Sequence, residues 1–190
     1  MPRLIRKCPE CGVKYPPKIA RVAHYFNLCP RCGELFSKSK RTIMSYLRLI
    51  GAHEEEELQP TLRLAEKGEL TAAARQALVT LEDHVRGLSG LSGLTGRSLM
   101  SKAFSFDWDA TKCRVTRPPL LAINDLKTES KRNEQEGILH ISMGLMAGAR
   151  NILAHHSGRV TIGNALNVLT TVAFVLDHIS STGTRLSDIR

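Results

Sequence analysis

The chain has 190 residues, the size of one globular domain or of one domain with a small additional module. Of these residues 42% are hydrophobic and 24% charged, a composition typical of a folded and not of a disordered protein. No apolar run approaches the roughly 20 residues that span a bilayer, and the basic start MPRLIRKCPECG has no apolar stretch of the signal-peptide type, so we expect a cytoplasmic protein without a membrane segment. The net charge of +9 lies in the first quarter of the chain: residues 1–48 hold eleven Lys and Arg against two acids, and subtracting these from the 27 basic and 18 acidic residues leaves sixteen of each sign for residues 49–190. A polyanionic partner is therefore expected to meet the N-terminal part first.

The first recognisable element is a pair of nearly identical C-P-x-C-G sequences, whose two cysteine pairs are separated by seventeen residues. The cysteines concerned are Cys8, Cys11, Cys29 and Cys32. Their spacing predicts a four-cysteine structural Zn²⁺ site in which each pair sits on a tight turn, with Gly12 and Gly33 free to take a positive φ. Two disulfides or a redox pair are the alternatives, and the near-identity of the two turns favours zinc over both. The pattern resembles the zinc-ribbon family, which is common in nucleic-acid-handling proteins and in adaptors.

A polar, basic junction follows this module. The segment SKSKRT, residues 37–42, predicts a flexible linker, which divides the chain into a zinc ribbon with its linker at residues 1–41 and a helical domain at residues 42–190. The cations that could follow a phosphate backbone here are Lys7, Arg31, Lys38, Lys40 and Arg41. An equally supported interpretation of the short basic run is a solvated linker that binds nothing.

The remaining chain has the period of α-helices almost throughout. Residues 54–67 begin with an acidic turn and end at Gly68, a residue suited to a helix C-terminus, while Pro60 marks either a kink or a later start. Residues 70–88 place apolar side chains on one stripe: Leu70, Ala74, Ala77, Leu81, Val85 and Leu88. The run GLSGLSGLTG then breaks the chain before a short helix in RSLMSKAF.

Three further segments complete the predicted architecture. Residues 105–128, with Pro118 and Pro119, indicate an excursion between helices with room for a short strand or hairpin, and Trp108 with Phe104 and Phe106 is expected to fill the core. A long helix is predicted from about residue 130 to 156, and a last one over about 161–180. The inward residues of the last helix are expected to be Ile162, Leu166, Leu169, Val172, Leu176 and Ile179. The predicted fold class is an all-α helical bundle preceded by a small zinc-ribbon module.

The long helix carries an unusual stretch, GLMAGARNILAHHSGR at residues 144–159, in which strongly polar side chains interrupt an apolar pattern. At 100° per residue one face of the helix is nearly bare and ends in polar tips; it comprises Gly137, His140, Gly144, Ala147, Asn151 and His155. The opposite side is predicted to be core through Ile138, Leu145, Ala149 and Leu153. One interpretation is a tight helix–helix contact through the small residues, with histidines at the helix end.

The other interpretation is catalytic. A guanidinium such as that of Arg150 binds a phosphate, the amide of Asn151 fixes an oxygen, and the imidazole of His155 moves a proton near neutral pH. These groups suit general acid–base cleavage of RNA by its own 2′-hydroxyl, a reaction that needs no metal.

The run RNILAH, from Arg150 to His155, has the R-N-x-x-x-H form of the motif of HEPN domains. The wider segment ESKRNEQEGILHISMGLMAGARNILAH resembles the Ymh branch of that superfamily, and the resemblance extends over roughly residues 53–180, although Ile152 and Leu153 replace the Pro and polar residue that are frequent there. It implies a helical bundle that forms a homodimer with a composite cleft. It also implies a metal-independent endoribonuclease in which Arg150 holds the scissile phosphate, Asn151 orients the site and His155 is the general acid or base.

Active HEPN proteins are frequent in toxin–antitoxin and antiviral systems, so an antitoxin or defence-system protein is a candidate partner beside RNA. Two other functions remain open: a non-catalytic dimeric HEPN scaffold, and a nucleic-acid-binding adaptor subunit of a defence complex in which the ribbon binds and the helices only dimerise. The second predicted helix carries Glu82, Asp83 and Arg86, which either line the same cleft or form a solvated face. Cys113 stands alone and is expected to be a buried or partly exposed thiol.

Overall fold

The computed structural model describes Lys7, residues 12–14, residues 56–155 and residues 162–180, without the side chains of Ala154, His155 and Ile162. The predicted zinc ligands therefore lie outside the described residues, and so do the basic residues Arg31, Lys38, Lys40 and Arg41. In the segment predicted to be a ribbon, Lys7 and Lys14 form an antiparallel bridge, and Gly12 has the positive φ, +70°, expected of it.

The first helices of the bundle form an antiparallel pair. A 3₁₀ turn, Glu56–Leu58, leads into α1, Gln59–Glu66, with Pro60 in its first turn, so proline marks a later helix start and not a kink. Gly68 follows the end of α1 at φ +84°, as predicted. Helix α2, Leu70–Ser89, packs against α1 through the predicted stripe, but Leu88 is exposed because it lies in the last turn, beyond the reach of the neighbouring helices.

A short helix and a hairpin follow. Helix α3, Gly96–Phe104, packs on α2 and on the later helix α4, Glu129–Gly144. The excursion does contain a hairpin, of strands β1, Asp107–Asp109, and β2, Arg114–Arg117, with Trp108 paired to Val115. Phe104 is fully buried, whereas Trp108 is only half-buried, with the guanidinium carbon of Arg132 3.7 Å from its ring centroid. The expectation that Trp108 fills the core is wrong: the strand holds it at the edge of the bundle under Arg132.

The long helix is present but not continuous. Helix α4 passes into a π-helical turn, Leu145–Ala149, and then into α5, Arg150–His155. The last helix, α6, Ile162–Ser180, packs mainly against α2. Buried along α6 are Ala165, Leu169, Val172, Ala173, Val175, Leu176 and Ile179. Leu166 packs against the same core, as predicted.

One core holds these helices together, and it is built around α2, whose Ala73, Ala74, Ala77, Leu81 and Val85 are completely buried. Small residues on α2 let α1 and α6 approach its two sides closely. The described chain is mostly helical, which confirms the all-α class, with the hairpin as its only sheet there. None of the described helices is long and apolar enough to cross a membrane.

Candidate functional site around Arg150

A π-helical turn sets the direction of the Arg-Asn-x-x-x-His segment. The backbone N–H of Arg150 donates to the carbonyl of Leu145, five residues back, where an α-helix would bond four residues back. The wider turn rotates the segment relative to α4, so the regular 100° spacing is lost between Gly144 and Asn151. Leu145 and Met146 are both buried, and small residues around them tolerate the wider turn. Turns of this type occur frequently at functional sites.

The side chain of Arg150 is held from across the bundle by a carboxylate on α2. Its Nη1 donates to Oε2 of Glu82 at 2.8 Å, while Oε1 of the same carboxylate accepts from Nη2 of Arg86 at 2.7 Å. Arg86 also donates to Asp83 one turn earlier. The Glu82 side chain is 9% exposed and that of Arg150 is 47% exposed. A buried carboxylate thus anchors one edge of a guanidinium that solvent reaches on its other side.

Backbone geometry at the start of α3 leaves room for this guanidinium. Gly96 has φ +55°, a conformation that L side chains rarely adopt, and a Cβ placed on it would lie 3.3 Å from Nη1 of Arg150. A larger residue would therefore strain the turn and press on the Arg150–Glu82 pair. The N-terminus of α3 and the head of Arg150 are direct neighbours.

The other two residues of the predicted triad lie on the same short helix. Asn151 is exposed, and its Nδ2 donates to the carbonyl of Ala147 at 2.7 Å, one turn back. This bond fixes the amide and leaves its oxygen directed away from that contact. The backbone of His155 belongs to α5, but its side chain lies outside the described residues. The end of α5 is held by Arg75 on α2, which donates to the carbonyl of Leu153 from two of its nitrogens.

The predicted bare face of the helix is open to solvent. His140, Gly144, Ala147 and Asn151 are exposed and Gly137 is half-buried, while Ile138, Leu145 and Leu153 are buried on the other side. A Cβ built on Gly137, Gly144 or Gly148 would meet no atom within 4 Å. Among the described residues this face is open except near Gly137 and Ile141, where Phe174 and His178 of α6 border the same cavity. Ile141 and Ile152 add exposed apolar side chains to it.

Gln135, in the block NEQEG of α4, is a buried polar residue whose role the sequence did not reveal. It is completely buried, donates to the carbonyls of Phe104 at 2.9 Å and Leu121 at 3.0 Å, and accepts from the backbone N–H of Ile123 at 2.9 Å. One side chain therefore satisfies two backbone groups of the loop that follows Pro118 and Pro119, at Leu121 and Ile123, and one at the end of α3. The signal that could have identified Gln135 is a polar residue inside an otherwise apolar helical stripe. Sequence reasoning also missed the role of Arg75.

The remaining candidates are scattered. Glu82 and Arg86 do belong to the Arg150 cluster, Asp83 is exposed at its edge, and Cys113 is an exposed thiol at the hairpin turn. The described residues include no group of three or more His, Cys, Asp or Glu that could hold a metal ion, and the paired cysteines are not among those residues. The chemistry available at the described site is that of guanidinium, carboxylate and amide groups.

The fold and this cluster define a helical protein with an Arg-Asn-x-x-x-His helix anchored to the centre of its bundle. A family model described as "Protein of unknown function (Hypoth_ymh)" matches residues 53–179. The chain belongs to this Hypoth_ymh family, and the match covers the described helices except the final residue of α6. No curated protein and no solved structure matches the chain.

Proposed function

We propose that the protein is a metal-independent endoribonuclease of HEPN type in which Arg150, Asn151 and His155 form the catalytic set. One observation carries the proposal: a buried carboxylate, Glu82, fixes the half-exposed Arg150 guanidinium at 2.8 Å, directly before the rest of the motif on α5. A merely structural ion pair does not need an open guanidinium edge beside an exposed amide.

The chemistry follows from what each group does. The substrate's 2′-oxygen attacks the adjacent phosphorus while a base removes its proton, and the 5′-oxygen leaves with a proton from an acid. The free donors of Arg150 stabilise the negative charge on the phosphoryl oxygens, with Glu82 acting as the positioning residue for that guanidinium. The amide of Asn151 orients the phosphate, and His155 transfers the protons. The products are a 2′,3′-cyclic phosphate and a free 5′-hydroxyl.

One copy of the motif provides one imidazole, whereas in-line attack uses a base and an acid on opposite sides of the phosphate. We infer a homodimer in which two motifs meet across a two-fold axis. The exposed, small-residue face around Gly144 and Ala147 supports this arrangement, because it carries apolar Ile141 and Ile152 and is uncovered in the described monomer. The same face would support a non-catalytic dimeric scaffold, and a cleavage assay separates the two functions.

The N-terminal module completes the proposal. Cys8, Cys11, Cys29 and Cys32 would hold one structural zinc ion, and the bridge between Lys7 and Lys14 with Gly12 at φ +70° fits a metal-binding turn. Lys7, Arg31, Lys38, Lys40 and Arg41 would then direct RNA or a ribonucleoprotein to the helical domain. A toxin or antiviral effector with an antitoxin or defence-system partner, acting in the cytoplasm, is the biological setting that this chemistry suits.

The test is cleavage of total RNA and of purified tRNA by the full chain with EDTA present. We expect cleavage with 2′,3′-cyclic phosphate ends, no cleavage of RNA carrying 2′-methoxy groups, and loss of activity in His155→Ala and Arg150→Ala. His178→Ala is the matched control, because His178 is a histidine on α6, outside both the motif and the small-residue face. An intact, folded protein that leaves all these RNAs uncut would rule out the nuclease and favour the scaffold.

A further inference from the structure

A cationic groove lies beside the Arg150 cluster, between α3, the end of β2 and α4. It encloses about 670 Å³, and its polar lining consists of Arg97, Ser98, Ser101, Lys102, Ser105 and Arg117. No Asp or Glu lines it among the described residues. Arg97 and Lys102 are exposed, and neither forms an ion pair with an acid in the described part of the chain.

The segment that forms most of this groove is more basic than the rest of its domain. Residues 49–190 have no net charge, yet residues 94–117 hold five Lys and Arg against two acids. Both acids are engaged locally: Asp109 accepts from the hydroxyl and N–H of Thr111, and Asp107 pairs with Arg117 at 2.8 Å. The Asp107 pair aligns the Arg117 guanidinium, whose Nη1 also donates to the carbonyl of Ser105. Lys112 pairs with Asp109, so Arg97, Lys102 and Arg114 have no ion pair among the described residues, and Arg97 and Lys102 line the groove.

The groove and the proposed catalytic helix share the first turn of α3. Arg97 lines the groove, and the preceding Gly96 is the residue whose missing side chain would lie 3.3 Å from Nη1 of Arg150. A strand bound along α3 would therefore end close to Arg150. Serine hydroxyls beside the cations can bind both phosphate and 2′-hydroxyl oxygens, which suits ribonucleic acid.

We propose that this groove binds the phosphate backbone of single-stranded RNA on its way to Arg150, with Arg97 and Lys102 as the main phosphate contacts. The proposal rests on the function proposed above and names a second RNA-binding surface besides the N-terminal module. Its volume of about 670 Å³ and its two exposed cations suit a strand with several phosphates better than a single small anion.

The binding test uses the full chain in a His155→Ala background, so that the RNA stays intact, and a fluorescein-labelled 20-nucleotide RNA. Each phosphate contact on a single strand contributes a salt slope of about 0.7, which corresponds to about 4-fold in affinity at 0.15 M salt. We expect Arg97→Ala/Lys102→Ala to bind about 14-fold more weakly, with a slope smaller by about 1.4. The matched control is Lys112→Ala/Arg114→Ala, which removes two charges from the same segment outside the groove and is expected to change the affinity less than about 3-fold.

Equal losses of RNA affinity in both double variants, or no loss in either, would overturn the proposal that the groove binds RNA. Competition by poly-L-glutamate as strong as that by unlabelled RNA would assign the groove to an acidic protein and would likewise overturn it. In the active His155 background, we expect Arg97→Ala/Lys102→Ala to raise KM and leave kcat near the wild-type value. Groove-dependent binding without cleavage would leave this proposal standing and refute the nuclease, whereas cleavage with unchanged KM would refute only the groove.

Discussion

The ion pair between Glu82 and Arg150 is the contact on which the proposed site depends, and Glu82→Gln tests it with little change in volume. The carboxylate accepts from Arg86 at 2.7 Å and from Arg150 at 2.8 Å. Glutamine keeps one acceptor and turns an amide N–H₂ toward the other guanidinium, so one charge-assisted bond is lost. A hydrogen bond to a charged group contributes about 1.5–3 kcal/mol.

Exposure reduces that figure for this pair. Because the Arg150 side chain is 47% exposed, water replaces part of the lost bond, and we expect Glu82→Gln to lower the free energy of unfolding by about 1–2 kcal/mol. For a chain of this size that corresponds to a fall in Tm of about 2–8 °C. With Arg150 no longer fixed, kcat for RNA should fall about 10-fold or more, since 1.4 kcal/mol of transition-state binding is tenfold in rate.

Urea unfolding followed by circular dichroism measures the first effect, and RNA cleavage in EDTA measures the second. Asp83→Asn is the control, because Asp83 is the adjacent acid, is 64% exposed and pairs only with Arg86 among the residues described; it should change stability by less than about 0.5 kcal/mol. A double-mutant cycle of Glu82→Gln with Arg150→Gln isolates the pair. A coupling energy near zero, or a Glu82→Gln protein as stable as wild type, would refute this reasoning.

Three further outcomes are expected. Gln135→Leu should lower the free energy of unfolding by about 3 kcal/mol or more, because three backbone groups, two of them in buried hydrogen bonds, lose their partner; unchanged urea midpoints would contradict this. Gly144→Leu should weaken dimerisation and RNA cleavage together. The monomer should stay folded, since a Cβ on Gly144 meets no neighbour within 4 Å. Sedimentation velocity measures the dimerisation, and a fully active monomer would exclude the composite site. The hydrogen bond from Lys131 holds the pKa of Asp125 below its usual value. The ionised carboxylate therefore contributes its full stabilisation at pH values above the unfolded pKa of about 3.9. That contribution is lost as the pH falls through the lower pKa of the folded state. Unfolding curves between pH 7 and 3 should therefore show a smaller acid loss for Asp125→Asn than for wild type.

The spacing of apolar residues and the Pro and Gly residues at helix ends determined most of the helices. Apolar spacing along α2 and α6, the proline at the start of α1 and the glycine after it are local signals, and each acts within one or two turns of chain. The same patterns separated the inward from the exposed side of α4 correctly. The Arg-Asn-x-x-x-His motif, together with the block upstream of it, predicts Arg150, Asn151 and His155 as site residues, and that role stays a prediction. The four-cysteine pattern and its zinc ion remain predictions.

Tertiary structure alone decided which of these groups meet. Glu82 and Arg150 are 68 positions apart, so their contact depends on how α5 packs against α2, and no local pattern records that distance. No local pattern marks the π-helical turn before Arg150 either: consecutive buried residues such as Leu145 and Met146 also occur in the regular helices α2 and α6, and only the structure shows the bond from Arg150 to Leu145. The cationic groove has the same origin, since α3 and β2 bring Arg97 and Arg117 to one surface only after the hairpin has folded back.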